Sequence, residues 1–419
     1  SDMFSPTPPI RPAAPPSNLA QLAFWGEAAR LRLGYFRQLT GEGENVNFDL
    51  TEDEQMLKAV AERFLDNQYA GEERREYQSQ PCGFEPRNWA LLGELGILAA
   101  SYPEEAGGLD LGATSISLIH HAMGRGLAVE PLIDCALLAG GILVRAQDEI
   151  AGQWADDLAS GAKRAALAHN EFDAPGGWSG LRTQARKVGD TVQITGTKPF
   201  TMGGCGADLY LVSALDDDAA DGGALYLVAA DADGLDVETW RVADGSMAVM
   251  LRLTDVRPIA RIENGARLLA QVEQTASLAR SSEMVGIMER LFEHTLDYLR
   301  QREQFDQPLS RFQAIQHRMA ALYAKLEQAK SLLDFAIVSE GTSDYAKRLD
   351  GARAFIAETG IELGHEAIQL HGAMGITQEL SIGQGHKRLM VLSRWPEAPD
   401  AALDRFAAGF GLSKEALRG

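Results

Sequence analysis

The chain has 419 residues, of which 45% are apolar, and it carries a net charge of −20 at pH 7. A chain of this length can bury two or three sizeable cores. The negative charge argues against nucleic acid as a partner, and any anionic ligand would need a local basic patch. No apolar run approaches the roughly 18 residues of a membrane-spanning helix, so we expect no membrane insertion.

The cysteines and histidines carry no metal-binding pattern. Cys82, Cys135 and Cys205 are an odd number without ligand spacing, which is typical of reduced, buried thiols. The histidines likewise show no ligand spacing with cysteines or carboxylates, so we expect no metal. The first residues lack the basic-then-apolar pattern of a signal peptide. We therefore expect a cytoplasmic protein.

In chain order, the pattern begins with a proline-rich stretch and continues with helices. Residues 4–17 are rich in proline and serine, and we assign residues 1–45 to an extension, with a helical piece around Leu19–Leu39. Thr51 followed by Glu54 is a capping-box signature that predicts the start of a helix. Helical periodicity then predicts an N-terminal helical domain over residues 46–160, interrupted by the glycines of Glu105–Leu109.

A change of period near Ala165 predicts a β domain over residues 161–265. Short apolar or alternating runs are separated by turns rich in glycine and aspartate, which favours antiparallel strands. The runs are Arg164–Ala168, Thr191–Thr195, Leu209–Ser213, Ala224–Ala229, Leu235–Trp240 and Met250–Leu253. Helical periodicity returns over residues 266–419, so the predicted class is α+β.

Two segments of the last region stand out, Arg302–Gln313 (REQFDQPLSRFQ) and Gln369–Glu379 (QLHGAMGITQE). Together they resemble the paired flavin-binding motifs of the acyl-CoA dehydrogenase family. Phe48–Gln55 and Pro103–Leu109 are also similar to family sequences, and together the similarities cover about residues 46–395. The resemblance implies an N-terminal helical domain, a middle antiparallel β domain and a C-terminal four-helix bundle.

The resemblance also implies FAD as cofactor, bound in part by a neighbouring subunit. Arg302 suits a pyrophosphate, because its guanidinium is planar and permanently charged. Gly372 would let the backbone approach phosphate oxygens. The other family-matched positions of the two motifs are Phe305, Phe312, Gln313, Gln369, Thr377 and Glu379. Two departures from the family pattern are Asp306, usually glycine, and Ala373, often glycine.

In the β domain, Gly196–Gly203 resembles the strand that runs beside the flavin ring. Phe200 would pack on the ring, and Thr201 would reach the N5 edge. Met202 stands where many members have threonine. The preceding loop, His169–Asp173, differs from the usual family sequence.

The activity implied by the resemblance is α,β-dehydrogenation of an acyl-CoA, for which a carboxylate must remove the α-proton. The usual Tyr-Glu-Gly-Thr text is replaced by Trp395-Pro396-Glu397-Ala398. At a second family position the aligned residue is Ala276. The candidate bases are Glu397 and Glu283, with Glu273 as a further alternative. A chain without its own base stays open. This departure resembles a subgroup that acts on bulky esters such as steroid side chains.

Three functions therefore stay open. The first is an acyl-CoA dehydrogenase, as a dimer or homotetramer, that passes electrons to an electron-transferring flavoprotein. The second is a base-deficient, FAD-binding partner in a hetero-oligomer. The third is a flavin-dependent monooxygenase or oxidase on the same fold. Arg280, Arg290 and Arg300 are basic residues available to meet CoA phosphates.

Overall fold

The computed structural model describes residues 49–70, 73–146, 152–172, 177–216, 223–377 and 380–409. The predicted extension over residues 1–45, with its helical piece, lies outside this part of the chain. From Leu50 onward the described residues pack as one compact unit. Within them, no helix combines the length and apolarity that a membrane crossing requires.

The first helices pack around one apolar core. They begin at the predicted capping box, which is confirmed: Thr51 Oγ1 accepts from the Glu54 N–H at 3.2 Å, and Glu54 Oε2 accepts from the Thr51 N–H at 2.8 Å. The helices are α1 (Glu52–Gln68), α2 (Glu73–Ser79), α3 (Pro86–Glu94), α4 (Ala113–Gly126), a π-helix (Leu132–Gly140) continued by α5 (Gly141–Leu143), and α6 (Ala155–Ser160).

The middle of the chain forms one mixed sheet. Its strands are β1 (Ala165–Ala168), β2 (Gln184–Val188), β3 (Thr191–Met202), β4 (Leu209–Leu215), β5 (Gly223–Ala229), β6 (Leu235–Arg241), β7 (Met247–Val256) and β8 (Ala260–Ile262). Their order is β6-β7-β3-β2-β4-β5-β8, with β1 beside β4. Strands β2 and β8 were not predicted. The β2 sequence is polar and exposed, and β8 has three residues, so neither gives an apolar run.

The sheet is not wholly antiparallel. Strands β1 and β2 both pair with β4 in parallel, while the other pairs are antiparallel as expected. A parallel partner requires a long connection, and here the β2–β3 hairpin lies between β1 and β4. Alternate residues of β4 enter different cores: Leu209 and Leu211 pack with the helices, whereas Tyr210 and Val212 pack on the opposite face.

The last part of the chain is a helical bundle with one added helix. It comprises α7 (Gly265–Gln301), a two-residue hairpin of β9 (Glu303–Gln304) and β10 (Gln307–Pro308), α8 (Gln313–Ile337), α9 (Tyr345–His371), α10 (Ser381–Arg394) and α11 (Pro399–Ala408). Helix α7 is buried along most of its length, because it packs against α4, α9 and the sheet.

Helices α4 and α7 cross where each carries a glycine. A Cβ at Gly124 would lie 2.1 Å from the Glu283 carbonyl oxygen, and a Cβ at Gly286 would lie 2.1 Å from the His121 carbonyl oxygen. Both obstacles are backbone atoms, which cannot rotate away. The crossing therefore depends on glycine, which has no side chain, at both positions. It holds α7 in place beside the sheet.

Replacement of Gly286 with Ala is expected to lower the free energy of unfolding by about 1–3 kcal/mol, because the helices must separate to admit the methyl group. Helix propensity alone would give the opposite sign, a gain of about 1 kcal/mol. Denaturant unfolding followed by circular dichroism separates the two. A more stable variant would mean that the close crossing is not important for stability.

Candidate active site

A cavity of about 360 Å³ lies between the sheet and the C-terminal helices. The sheet side contributes the end of β1, the loop after it and the end of β3. The helical side contributes the first half of α7, the start of α9 and the segment after α10. Its polar lining consists of Asp134, His169, Asn170, Glu273, Gln274, Ser277, Arg280, Asp350, Arg353, Trp395, Glu397 and Arg405.

The predicted base Glu397 lines this cavity and is held by Arg405. Arg405 Nη1 donates to Glu397 Oε2 at 2.8 Å, and Arg405 Nη2 donates to Oε1 at 2.5 Å. The same guanidinium donates to Asp350 Oδ1 from Nε at 2.9 Å. Burial raises the pKa of Asp350, and the Arg405 charge opposes that shift. From its position on helix α11, Arg405 thus fixes the orientation of two cavity carboxylates.

Arg280 is 1% exposed, although the sequence analysis treated it as available to CoA phosphates. It lies on a turn of α7 that faces the cavity, and its Nη1 donates to Glu273 Oε1 at 2.5 Å. The alternative base Glu273 is therefore paired, with 35% of its side chain exposed. Small residues before and after Arg280 let neighbouring elements approach α7 closely, which is why this arginine is buried.

Asp134, from the π-helix, is a cavity carboxylate that the sequence analysis did not select. Its Oδ1 accepts from Trp395 Nε1 at 3.0 Å. Burial raises the pKa of Asp134, and the Arg280 charge partly opposes this. The bond joins the N-terminal helices to the segment that carries Glu397.

A second, more open pocket of about 350 Å³ adjoins the first and shares Asn170, Trp395 and Pro396 with it. The predicted flavin neighbour Phe200 is half-buried here. Its ring centroid lies 4.7 Å from that of Trp395 and 5.7 Å from that of Trp240. This gives the pocket an aromatic wall at the end of β3.

Thr201 and Met202 lie at the end of the same strand. The Thr201 Oγ1 is buried and has no hydrogen-bond partner among the described residues. Met202 is 3% exposed and lines the larger cavity. Met202 thus reaches the cavity, whereas Thr201 is fully buried and lines neither pocket.

The loop after β1 is held by a buried ion pair. Lys198 Nζ donates to Glu171 Oε1 at 2.7 Å, and the Arg182 and Thr183 backbone N–H groups donate to the same carboxylate. Burial lowers the pKa of Lys198 to about 8, and the Glu171 carboxylate opposes this shift. The loop between the two pockets is therefore fixed at Glu171.

The other predicted base, Glu283, lies outside the larger cavity. Both of its oxygens accept from Arg388, at 2.6 Å from Nε and 3.1 Å from Nη2. Arg388 Nη1 also donates to Asp244 Oδ2 at 3.1 Å. Burial by itself would lower the pKa of Arg388, but the charges of Glu283 and Asp244 raise this pKa above its ordinary value. The three residues form a buried cluster that joins α7, α10 and the turn after β6.

The first predicted flavin motif forms the β9–β10 hairpin and the start of α8. Phe305 and Asp306 have φ of 55° and 59°, the left-handed conformation that a two-residue hairpin turn favours and that suits glycine. Phe305 is 86% exposed, and Arg302 is exposed without an ion pair to any described residue. Gln313 is exposed and Phe312 half-buried.

The second motif ends helix α9 close to the first. Tyr298 of α7 stacks on His371, with ring centroids 4.3 Å apart. The next residue, Gly372, has φ of 62° and open space where a Cβ would lie. Gln369 and Gly372 are exposed and Thr377 is half-buried. Glu379 lies outside the described residues.

The two motifs are distant from the larger cavity. Arg280 and Arg302 are separated by 22 residues of α7, which corresponds to about 33 Å at 1.5 Å per residue. The first motif therefore lies well away from the turn of α7 that lines the cavity.

The fold of helices, sheet and helical bundle, with this interdomain cavity, defines an acyl-CoA dehydrogenase type of protein. Residues 51–162 match the family model described as "Acyl-CoA dehydrogenase, N-terminal domain", and residues 264–396 match "Acyl-CoA dehydrogenase, C-terminal domain". The chain belongs to the acyl-CoA dehydrogenase family, and it is an oxidoreductase of that family.

The similar proteins include enzymes and complexes of this family. Acyl-CoA dehydrogenase FadE27 of Mycobacterium tuberculosis is 28% identical over 79% of this chain and 90% of its own length. The solved ChsE4–ChsE5 complex of the same organism has a TM-score of 0.79 at 25% identity, covering 87% of this chain and 99% of that one. A steroid ACAD variant, Tcur3481-Tcur3483, has a TM-score of 0.76 at 26% identity, with coverages of 88% and 99%.

Proposed function

We propose that this protein is an FAD-dependent acyl-CoA dehydrogenase in which Glu397 removes the α-proton of the acyl group. The observation that carries the proposal is the paired arrangement at the Trp395–Pro396 wall. A cavity lined by carboxylates lies on one side, and an aromatic pocket lies on the other. The reaction needs a carboxylate and a hydride acceptor on either side of one acyl chain.

The residues of the aromatic pocket fit a flavin ring. The Phe200 ring offers an apolar face beside Trp240, and the adjacent Thr201 Oγ1 is buried with a hydrogen-bonding capacity that no described residue uses. The bound flavin would supply the acceptor for the β-hydrogen as hydride. Arg302 and the open side of Gly372 would serve the dinucleotide of a neighbouring subunit, because Arg302 lies about 33 Å along α7 from the cavity residue Arg280. We therefore propose an oligomer that shares its FAD sites.

The chain's own groups divide the remaining work. Arg405 orients the Glu397 carboxylate, and the bond from Trp395 to Asp134 fixes the wall on which Glu397 lies. Because the cavity is enclosed between the sheet and the helices, water is kept away from the substrate's α-carbon, which loses its proton in the reaction. The proton removed from the substrate would reside on Glu397.

The substrate we propose is a bulky acyl-CoA, with electrons passing to an electron-transferring flavoprotein in the cytoplasm. The similarity to a steroid ACAD supports the bulky class. The test is anaerobic mixing of purified, FAD-loaded protein with a panel of acyl-CoA esters, followed through the flavin absorbance. Bleaching by any ester supports dehydrogenation. A protein that keeps its flavin oxidised with every ester, alone and with added partner chains, would overturn the proposal.

A second candidate function is a base-deficient partner subunit of a hetero-oligomer. The specific observation is that each cavity carboxylate already accepts from a protein donor: Glu397 and Asp350 from Arg405, Glu273 from Arg280, and Asp134 from Trp395. The similarity to the ChsE4–ChsE5 complex, which contains two different chains, also supports a hetero-oligomer. Bleaching that appears only after a second family chain is added would favour this function.

Asp306 should weaken FAD binding if its hairpin approaches the pyrophosphate. Replacement with Asn removes the charge and tolerates the left-handed backbone. We expect FAD affinity to rise about two- to fivefold, because one exposed like charge is worth a fraction of a kcal/mol to about 1 kcal/mol. Titration of apoprotein with FAD, at low and high salt, measures the change. Equal affinities at low salt would place the pyrophosphate away from Asp306.

A further inference from the structure

Arg280 lines the cavity, and one edge of its guanidinium has no hydrogen-bond partner among the described residues. Its Nη1 is paired with Glu273, while its Nε and Nη2 are buried and lack a hydrogen-bond partner among the described residues. Nε–H and Nη2–H point in nearly the same direction on a guanidinium. They form the edge that receives the two oxygens of a carboxylate.

A buried charged donor pair without acceptors is costly, so this edge calls for a ligand. No other cavity carboxylate accepts a hydrogen bond from this edge. Asp134 accepts from Trp395, and Asp350 and Glu397 accept from Arg405. Glu273, which accepts from Nη1, is one-third exposed. The Nε and Nη2 groups therefore remain without an acceptor among the described residues.

Arg353 adds positive charge to the same region. It is 4% exposed and lines the cavity. Its Nη2 donates to the Trp395 carbonyl oxygen at 3.3 Å and to the Leu392 carbonyl oxygen, and its Nη1 contacts Met284 Sδ at 3.2 Å. Burial, followed by the Arg280 charge, lowers the pKa of Arg353 to about 10. Two buried guanidinium groups, those of Arg280 and Arg353, thus line the same cavity.

We propose that the acyl group taken by this cavity carries a carboxylate at its far end, which the Nε–Nη2 edge of Arg280 binds as a two-pronged pair. The inference rests on the proposed dehydrogenase function and names its substrate class as an ω-carboxyacyl-CoA. Arg353 would add long-range attraction. Glu397 would remain at the α-carbon end.

The test compares matched esters on the FAD-loaded protein: glutaryl- with pentanoyl-CoA, adipyl- with hexanoyl-CoA, and suberyl- with octanoyl-CoA. Two quantities are measured, the dissociation constant by calorimetry and the rate of flavin bleaching. We expect the ω-carboxy member of at least one pair to bind about 30-fold or more tightly than its partner, as for a buried charge pair. Equal or reversed affinities in all three pairs would overturn the inference.

Replacement of Arg280 with Met keeps the apolar stem and removes the donors. It should abolish the preference, so that the ω-carboxy and unsubstituted members of each pair bind with similar affinities. Arg290→Met is the matched control. Arg290 lies on the same helix with a buried, unpartnered Nε, but its Nη1 donates to the Arg125 carbonyl oxygen and it does not line the cavity. The Arg290→Met variant should keep the wild-type preference for the ω-carboxy ester.

The outcomes separate the inference from the proposed function. Bleaching by unsubstituted esters with no ω-carboxy preference overturns only the inference that Arg280 binds an ω-carboxylate. A preference that persists in Arg280→Met means that another group binds the carboxylate, and it overturns the same inference. No binding or bleaching by any ester removes the dehydrogenase function and the inference with it. If Arg280→Met does not fold, the wild-type panel alone decides.

Discussion

Replacement of Glu397 with Gln is expected to slow flavin bleaching by an acyl-CoA about 10²- to 10⁴-fold, the range typical for loss of a general base. Glutamine preserves the size of the side chain and can still accept from Arg405. Substrate binding should change little, because Glu397 acts on the proton and not on the CoA portion. The variant should therefore show a lower bleaching rate and an unchanged dissociation constant for the substrate.

Three further variants make this experiment decisive. Glu273→Gln and Glu283→Gln test the other two candidate bases. Glu362→Gln is the control, because Glu362 is exposed on α9 and pairs only with Lys325 at the surface. Stopped-flow absorbance gives the bleaching rate for each variant, and calorimetry gives the dissociation constant. Glu362→Gln should behave as the wild type.

The pattern among the variants identifies the base. Loss confined to Glu397→Gln supports Glu397, and loss confined to Glu273→Gln or Glu283→Gln moves the role to that residue. If the wild-type chain bleaches alone and every variant does too, no one of these three carboxylates is the base. If the wild type bleaches only with a second chain, the partner subunit supplies it.

The sequence predicted the fold well because its patterns are local. The capping box at Thr51 and Glu54 involves groups three residues apart, and the apolar runs of β4 and β5 reflect burial on both faces of the sheet. Strand pairing is a long-range property. The parallel pairing of β1 with β4 has no local signature, so an entirely antiparallel sheet was predicted.

The site was harder to predict because its groups come from distant parts of the chain. Asp134 and Trp395 are 261 residues apart and form one hydrogen bond. No spacing rule predicts such a pair. The small residues Ala276, Ala279 and Gly286 around Arg280 were a usable signal for a buried stretch of helix, because small side chains let neighbouring elements approach closely. That signal would have removed Arg280 from the surface cations.

Replacement of Arg388 with Met is expected to lower the free energy of unfolding by about 3–5 kcal/mol, which is typical when one partner of a buried ion pair is removed. Arg388 holds Glu283 and Asp244, which are 5% and 4% exposed. Methionine fills much of the volume but leaves both carboxylates without their cation. The bundle would then lose its link to the turn after β6.

A control variant distinguishes the buried cluster from a similar cluster at the surface. Arg252→Met also removes an arginine that bridges two carboxylates, Asp236 and Glu238, but this cluster is at the surface and little loss is expected. Denaturant unfolding of both variants and the wild type measures the two losses. A deficit in Arg388→Met no larger than that of Arg252→Met would show that the buried cluster contributes no more to stability than the surface one.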